Sequence, residues 1–411
     1  MRLEKWAAAA FLAGCVLLRA VASERLEFDL SQSGTFTVER GHGYDLGTRP
    51  AGANPFYYSV KVPEGMWRVT VLLGAPDRAG ETTVKAESRR LMLESVRTEP
   101  GEQIERSFLV HVRTPALRPP PENAPGGNAV RLNEREMGVL HWDDKLTLEF
   151  NGASPAVSRI VLEPANEVLT VHLAGDSTVT DQPAEPAASW GQMLPVMLGP
   201  DVAVANHAES GETLKSFLTG LRLDKLLSGV RPGDFVLIQF GHNDSKRQWP
   251  QTYAEPGTTY DAYLRVYIAE VRRRGATPVL VTSVHRRSFD DAGRIQNTHG
   301  EYPAAVRNVA AAEHVPLIDL TAMSARFYEA LGPERAPLAF NAGGRDATHH
   351  NNYGAYQLAR AVAAGLCTVV PDLAPRVPEK YRFYDPGKPD DPEHFGLPES
   401  PARSSISPRG N

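Results

Sequence analysis

Four short blocks of this chain carry the residue types of nucleophilic acyl chemistry. The apolar run LTVHLAG (169–175) leads into Gly175-Asp176-Ser177-Thr178. A serine placed just past a strand end can present its hydroxyl while its own N–H stays free for an oxyanion. The run VAVANHA (202–208) leads into Glu209-Ser210-Gly211, where a glycine lets a backbone N–H approach a substrate closely. The run FVLIQFG (235–241) ends in Gly241-His242-Asn243-Asp244, and Asn243 can offer a side-chain N–H to the same oxyanion. Far downstream, Asp346-Ala347-Thr348-His349 precedes the helical stretch NNYGAYQLARAVAAGL. An Asp three residues before a His in one loop can orient the imidazole through Nδ1 while Nε2 faces a nucleophile. Taken singly, these blocks have plainer readings. Gly-Asp-Ser is common turn composition, and Asp346 would serve as a helix-entry cap beside an unrelated histidine.

The elements that must position these residues are legible in the hydrophobic pattern. From Val168 to about residue 371, continuous apolar runs alternate with amphipathic helical stretches, which predicts a parallel sheet covered on both faces. Open α/β sheets place their sites at the carboxyl ends of the strands, so the blocks after the first three strands share one edge. Upstream, residues 24–165 hold short alternating segments such as YYSVKV, WRVTVLL, FLVHVR and KLTLEF, which predict an all-β sandwich or jelly roll. The stretch 115–128 is too rich in Pro and Gly for a core strand and reads as a surface loop. Residues 372–411 form a Pro-rich tail, expected to be poorly ordered or draped over the surface.

Composition narrows the classes further. The chain has 411 residues, 42% of them hydrophobic, which is material for about two domains. Lys+Arg 44 against Asp+Glu 49 gives a net charge of −5, which argues against a nucleic-acid partner. Residues 1–22 read as an export signal: Arg2 and Lys5, an apolar run from Trp6 to Leu18, then Ala20-Val21-Ala22 before the cut. That run is too short to span a bilayer, and no later segment is long enough. Leu12-Ala13-Gly14-Cys15 also matches a bacterial lipoprotein box, which would put a lipid anchor on Cys15. After a cut at Ala22 one cysteine is left, Cys367, in an apolar run where it reads as a small buried hydrophobe. No signal of oligomeric state is visible.

In their order and placement, Ser177, Gly211, Asn243 and His349 resemble the signature residues of the SGNH hydrolase superfamily. Within it, the strings AGDSTVTD, SWGQ, NHAESG, FGHND and DATHHNNYGA look like rhamnogalacturonan acetylesterases over about residues 170–366. The resemblance implies a flavodoxin-like three-layer αβα fold, with Ser177 as nucleophile, His349 as general base and acid, and Asp346 as its orienter. It implies an oxyanion hole from the N–H groups of Ser177 and Gly211 and the side chain of Asn243, with no cofactor and no metal. One departure stands out. Where family members carry Arg-Ser after the second block's glycine, this chain has Glu212-Thr213, so contacts made by that arginine do not carry over. The front β domain resembles, more loosely, the galactose-binding-like jelly rolls that accompany such esterases, and reads either as a sugar-binding module or as a wall of the cleft.

Residues around the blocks have paired readings. Arg286 and Arg287, after the strand TPVLVTSV, fall on the edge that carries Ser177 and would bind a uronate carboxylate, or form a solvated pair. His350 would contact substrate. His207 and Trp190 read as packing residues, and Asp176 and Asp244 as loop-stabilising carboxylates. A two-metal phosphoesterase is the rival chemistry, but the His and Asn of GHND are transposed for it and Asp181 lies five residues from Asp176. A non-catalytic carbohydrate-binding protein, a lipase and a thioesterase are further alternatives. The expectation is therefore a secreted or periplasmic serine esterase acting on an acetylated polysaccharide, pectic rhamnogalacturonan first, with xylan or a similar glycan as the alternative.

Overall fold

The computed structural model describes residues 25–117, 127–406 and 408. The expected export segment with Cys15, and most of the Pro-rich part of the 115–128 loop, lie outside the described residues.

The N-terminal strands are β1 (Leu26–Asp29), β2 (His42–Asp45), β3 (Phe56–Lys61), β4 (Gly65–Leu73), β5 (Gly80–Ala86), β6 (Arg90–Thr98), β7 (Ile104–Val112), β8 (Lys145–Ser154) and β9 (Val157–Pro164). They form two antiparallel sheets, ordered β1-β9-β4-β7 and β2-β3-β8-β5-β6. The period-2 pattern of β4 explains the sandwich: Val69, Val71 and Leu73 are buried while Arg68, Thr70 and Leu72 are less so. These side chains meet Phe56, Tyr58, Leu148 and Phe150 of the other sheet in one core.

The second unit is built on β10 (Leu169–Gly175), β11 (Val202–Asn206), β12 (Phe235–Gln239), β13 (Thr277–Val281) and β14 (Leu317–Ile318), all parallel and ordered β11-β10-β12-β13-β14. Its helices are α1 (Trp190–Met193), α2 (Leu214–Thr219), α3 (Arg222–Gly229), α4 (Thr259–Arg272), α5 (Tyr302–Ala312), α6 (Leu320–Arg335), α7 (Asn352–Val369) and α8 (Glu379–Arg382). Both faces of the sheet are covered, which is why the strands are apolar throughout. Val236 and Ile238 of β12 pack with α2 to α5, whereas Leu237 faces the side of α6 and α7. This is the flavodoxin-like αβα arrangement of SGNH hydrolases, and β10 lies where the strand order reverses, the place such sheets reserve for a site. α7 forms because Ala355, Leu358, Ala359, Val362 and Leu366 recur at helical spacing, and the Asn351 side chain caps it by accepting from Gly354 N.

The two units are joined by ion pairs buried from solvent: Arg89–Glu185 at 2.6 Å, Arg90–Asp181 at 2.7 Å, Arg222–Glu136 at 2.5 Å and Lys225–Glu64 at 2.6 Å. Past α8 the chain crosses both units as a strap. Lys85 Nζ donates to Pro398 O and Ser400 Oγ, Glu185 N donates to Ala402 O, and Ser404 N donates to Glu185 O.

Candidate active site

Ser177 sits in the turn that leaves β10. A Cβ on Gly175 would come within 2.6 Å of Val179 Cγ2 and 3.0 Å of Gln239 O, so only glycine lets the strand end so close to its neighbours. Asp176 Oδ1 accepts from Thr178 N at 2.9 Å and Thr178 Oγ1 at 2.8 Å, and its Oδ2 meets His242 Nδ1 at 3.1 Å. That carboxylate holds the turn, as expected of a loop-stabilising group. The carbonyl of Ser177 accepts from Ser189 Oγ at 2.7 Å and Gln182 Nε2 at 2.9 Å. The Ser177 backbone is thus held by side chains of two neighbouring segments.

The loop before α7 delivers the other two groups. His349 Nε2 lies 2.8 Å from Ser177 Oγ, and His349 Nδ1 lies 2.8 Å from Asp346 Oδ2. Asp346 Oδ1 also accepts from His349 N and Thr348 N. Burial alone would raise the Asp346 carboxyl, but the His349 hydrogen bond and charge and the two amides outweigh it and hold the carboxyl well below the usual range. An ionised Asp346 makes Nδ1 the protonated nitrogen, which leaves Nε2 to accept the proton of Ser177.

Three N–H groups expected to face an oxyanion have hydrogens to spare. Gly211 has φ +83°, a left-handed conformation that glycine adopts without strain. Among the described residues, the amides of Ser177 and Gly211 donate to no carbonyl or side chain. Asn243 is fully buried, and its Nδ2 donates one hydrogen to Glu212 O at 3.1 Å, leaving the other for a ligand. Asp244 fixes this block by accepting from Gly241 N and Leu214 N, which ties the end of β12 to the start of α2. The departing pair Glu212-Thr213 has structural work: Thr213 caps α2, and Glu212 pairs with Arg222 at 3.2 Å.

The remaining expected residues separate. Arg286 Nη2 donates to His242 O at 3.3 Å, and its Nη1 approaches Thr298 and His299; among the described residues no carboxylate pairs with it. Arg287 donates N to Ala347 O at 2.8 Å and Nη2 to Gly344 O at 2.5 Å, so it braces the loop that carries Asp346 and His349. His350 is a correction. It is 1% exposed, with Nε2 2.6 Å from the Tyr328 hydroxyl and its ring against Phe340. Because α7 starts two residues later, the chain turns this imidazole into the core rather than toward a substrate. Burial pushes it down to about 3, so it is neutral. His207 packs between His111 and His172, and Trp190 donates Nε1 to Gln239 inside the core.

Sequence reasoning passed over Lys246. Its Nζ atom is buried with no hydrogen-bond partner among the described residues, 4.5 Å from the centre of the Trp249 ring, and its backbone N donates to Asn243 O. Burial and the charge of Arg286 push the ammonium down to about 8. Its only sequence signal was a basic pair three residues past Asn243, which by itself reads as a solvated loop.

Residues 173–358 match the GDSL-like Lipase/Acylhydrolase family. The chain is 40% identical over 211 residues to the rhamnogalacturonan acetylesterase RhgT of Bacillus subtilis, a match covering 48% of this chain and 89% of the relative. It is 38% identical over 199 residues to the probable rhamnogalacturonan acetylesterase YesY of the same organism, covering 48% and 91%. A third Bacillus subtilis relative, the uncharacterized esterase YxiM, is 27% identical over 314 residues, covering 75% of this chain and 73% of the relative.

Proposed function

The chain belongs to the GDSL-like lipase/acylhydrolase family, and from that premise we propose that it is a serine esterase that removes O-acetyl groups from a plant cell-wall polysaccharide, pectic rhamnogalacturonan first. The observation that carries the chemistry is the unbroken run of 2.8 Å hydrogen bonds from Asp346 through His349 to Ser177 Oγ. Ser177 Oγ attacks the acetyl carbonyl as its proton passes to His349 Nε2. The oxyanion that forms takes hydrogen bonds from the amides of Ser177 and Gly211 and from Asn243 Nδ2. As the C–O bond to the sugar breaks, the imidazolium returns its proton to the leaving alkoxide. Water then attacks the acetyl-enzyme with His349 again as base, releasing acetate and restoring the Ser177 hydroxyl.

The substrate reading has separate support. One relative is named a rhamnogalacturonan acetylesterase and a second a probable one. Arg286 and Lys246 flank the Gly241–Asp244 block without a carboxylate partner, whereas Arg89, Arg90, Arg222, Lys85 and Lys225 each have one within 4.0 Å. Two half-buried cations that have no carboxylate partner among the described residues suit a substrate that brings its own carboxylate, as a polymer containing uronic acid does. Arg287 is left in a bracing role. A polymer of this kind is met outside the cytoplasm, in keeping with the export segment expected at residues 1–22. Among the described residues, no helix is long and apolar enough to cross a membrane.

The test is acetate release by wild type and Ser177→Ala from acetylated rhamnogalacturonan, acetylated xylan and a small aryl acetate, each with and without chelator. Release from the pectic polymer by wild type alone, indifferent to chelator, is the expected result. Activity confined to xylan or the aryl ester would keep the mechanism and overturn the substrate. An active Ser177→Ala would overturn the mechanism.

A further inference from the structure

Next to the oxyanion donors lies a cavity of about 370 Å³ that the mechanism leaves unused. Its walls come from three stretches of chain: Arg135 and His141 from the N-terminal unit, Gln182 and Ser210 from the catalytic unit, and Ser404 and Ile406 from the strap. The first and last of these lie outside residues 173–358, so the family match does not account for the cavity. Gln182 links it to the chemistry, because its Nε2 donates to Ser177 O at 2.9 Å and reaches Ser210 Oγ at 3.4 Å, one residue before Gly211.

Two polar atoms of the wall are buried and unpartnered: Arg135 Nη1 and His141 Nε2. A buried polar group without a partner costs about 1–3 kcal/mol, so the two lining this cavity call for a polar occupant. The chemistry of that ligand follows from its partners. The other guanidinium nitrogens of Arg135 are taken: Nε and Nη2 donate to Glu209 Oε1 at 2.9 and 2.6 Å, and Nη2 also donates to Ser210 O. Burial and the neighbouring Glu136 push the Glu209 carboxyl up to about 7, so above that pH its charge balances Arg135 and the cavity has little use for a ligand carboxylate. His141 is 2% exposed, with Nδ1 bonded to Ser88 Oγ at 2.7 Å, and desolvation together with Arg113 keeps the ring neutral. Nε2 is a donor in one tautomer and an acceptor in the other. A hydroxyl group satisfies both, and Arg135 Nη1 can donate to a hydroxyl as well. The apolar remainder of the wall, including Ile406, suits the C–H face of a sugar ring, and the volume falls in the ~300–1,000 Å³ range of small-molecule sites.

We propose that this cavity is a saccharide subsite that takes an uncharged sugar residue of the polymer whose acetyl group lies at Ser177. It rests on the esterase reading, and it makes the N-terminal unit and the strap parts of substrate recognition. Arg286 and Lys246 would hold the acidic residue on the β12–β13 side, while this subsite holds a neutral one on the β10–β11 side.

Two substitutions block the cavity from different segments of its wall: Ile406→Trp, at a position 83% exposed, and Val139→Trp, at a half-buried one. The first readout is the ratio of kcat/KM on an acetylated rhamnogalacturonan oligosaccharide to kcat/KM on an aryl acetate too small to reach the cavity. The ratio itself controls for folding. It is expected to fall at least tenfold in both variants, through KM rather than kcat. The second readout is calorimetric binding of the deacetylated oligosaccharide to Ser177→Ala, expected to weaken at least tenfold when either blocking change is added. An unchanged ratio and unchanged binding in both variants would overturn the subsite. Loss of aryl acetate hydrolysis in the wild type would instead sink the esterase reading, and the binding readout would still judge the subsite.

Discussion

Asp346, His349 and Ser177 are joined by two 2.8 Å hydrogen bonds, and in the proposed mechanism they pass one proton, so each substitution has its own signature. In Asp346→Asn the amide can donate to Nδ1, which favours the tautomer with the proton on Nε2, where it can no longer accept from Ser177. The expected loss is on the order of 10⁴-fold in kcat with the fold intact, read from aryl acetate kinetics beside a circular dichroism melt. Asn243→Ala removes a single oxyanion donor and should cost about 10²- to 10³-fold in kcat, with KM little changed. Lys246 gives a pH signature of another kind. Its ammonium, pushed down to about 8, is charged below that pH and neutral above it. If it meets a substrate carboxylate, KM for the acidic polymer climbs as pH rises through about 8, while KM for a neutral aryl acetate shows no matching climb. Lys246→Met should remove that climb and carry the higher KM at every pH; identical profiles for the two proteins would sink the assignment.

Strand ends and the turns after them are what convert this sequence into a site. β10, β11 and β12 were legible because a strand buried on both faces is a continuous apolar run, and the chemistry-bearing blocks follow those runs directly. The same local logic made Gly211 readable, since an N–H aimed at a substrate calls for a backbone most residues avoid. Its φ of +83° predicts that Gly211→Ala costs about 1–2 kcal/mol of stability in urea unfolding and lowers kcat, as the turn relaxes and the amide swings off the oxyanion. What the pattern did not disclose was partner choice. Arg135 and Glu209 are 74 positions apart, and nothing in the period of either segment says that they meet. His350 stands next to His349 in sequence, yet the entry into α7 points the two imidazoles to opposite sides, one to Ser177 and one to Tyr328. Lys246 reads as a solvated loop lysine in the sequence because, although Trp249 lies only three residues on, nothing in the local pattern shows that its ring covers the ammonium or that Arg286, 40 positions away, comes beside it.

At the scale of the whole molecule, the N-terminal unit bears on catalysis through a short line of contacts. Arg89, just before β6, donates Nη1 to Gln182 O at 3.1 Å and Ala187 O at 2.8 Å, and Gln182 in turn holds the carbonyl of Ser177. The next residue, Arg90, reaches Asp181 at 2.7 Å, with both side chains almost fully buried. Detaching the β sandwich would therefore release both ends of the segment that frames Ser177, and would break the Arg222–Glu136 and Lys225–Glu64 pairs in the same event. Removing one partner of a buried ion pair strands the other charge and costs about 3–5 kcal/mol. Calorimetry of the wild type should accordingly show the two units melting in one transition. Arg90→Ala should move that transition down as a whole, and aryl acetate activity should be lost at the same temperature rather than after a separate, earlier melt of the sandwich. Two resolved transitions in the wild type, with esterase activity surviving the first, would show that the sandwich is a passenger whose contacts to Gln182 and Asp181 do not hold the Ser177 turn.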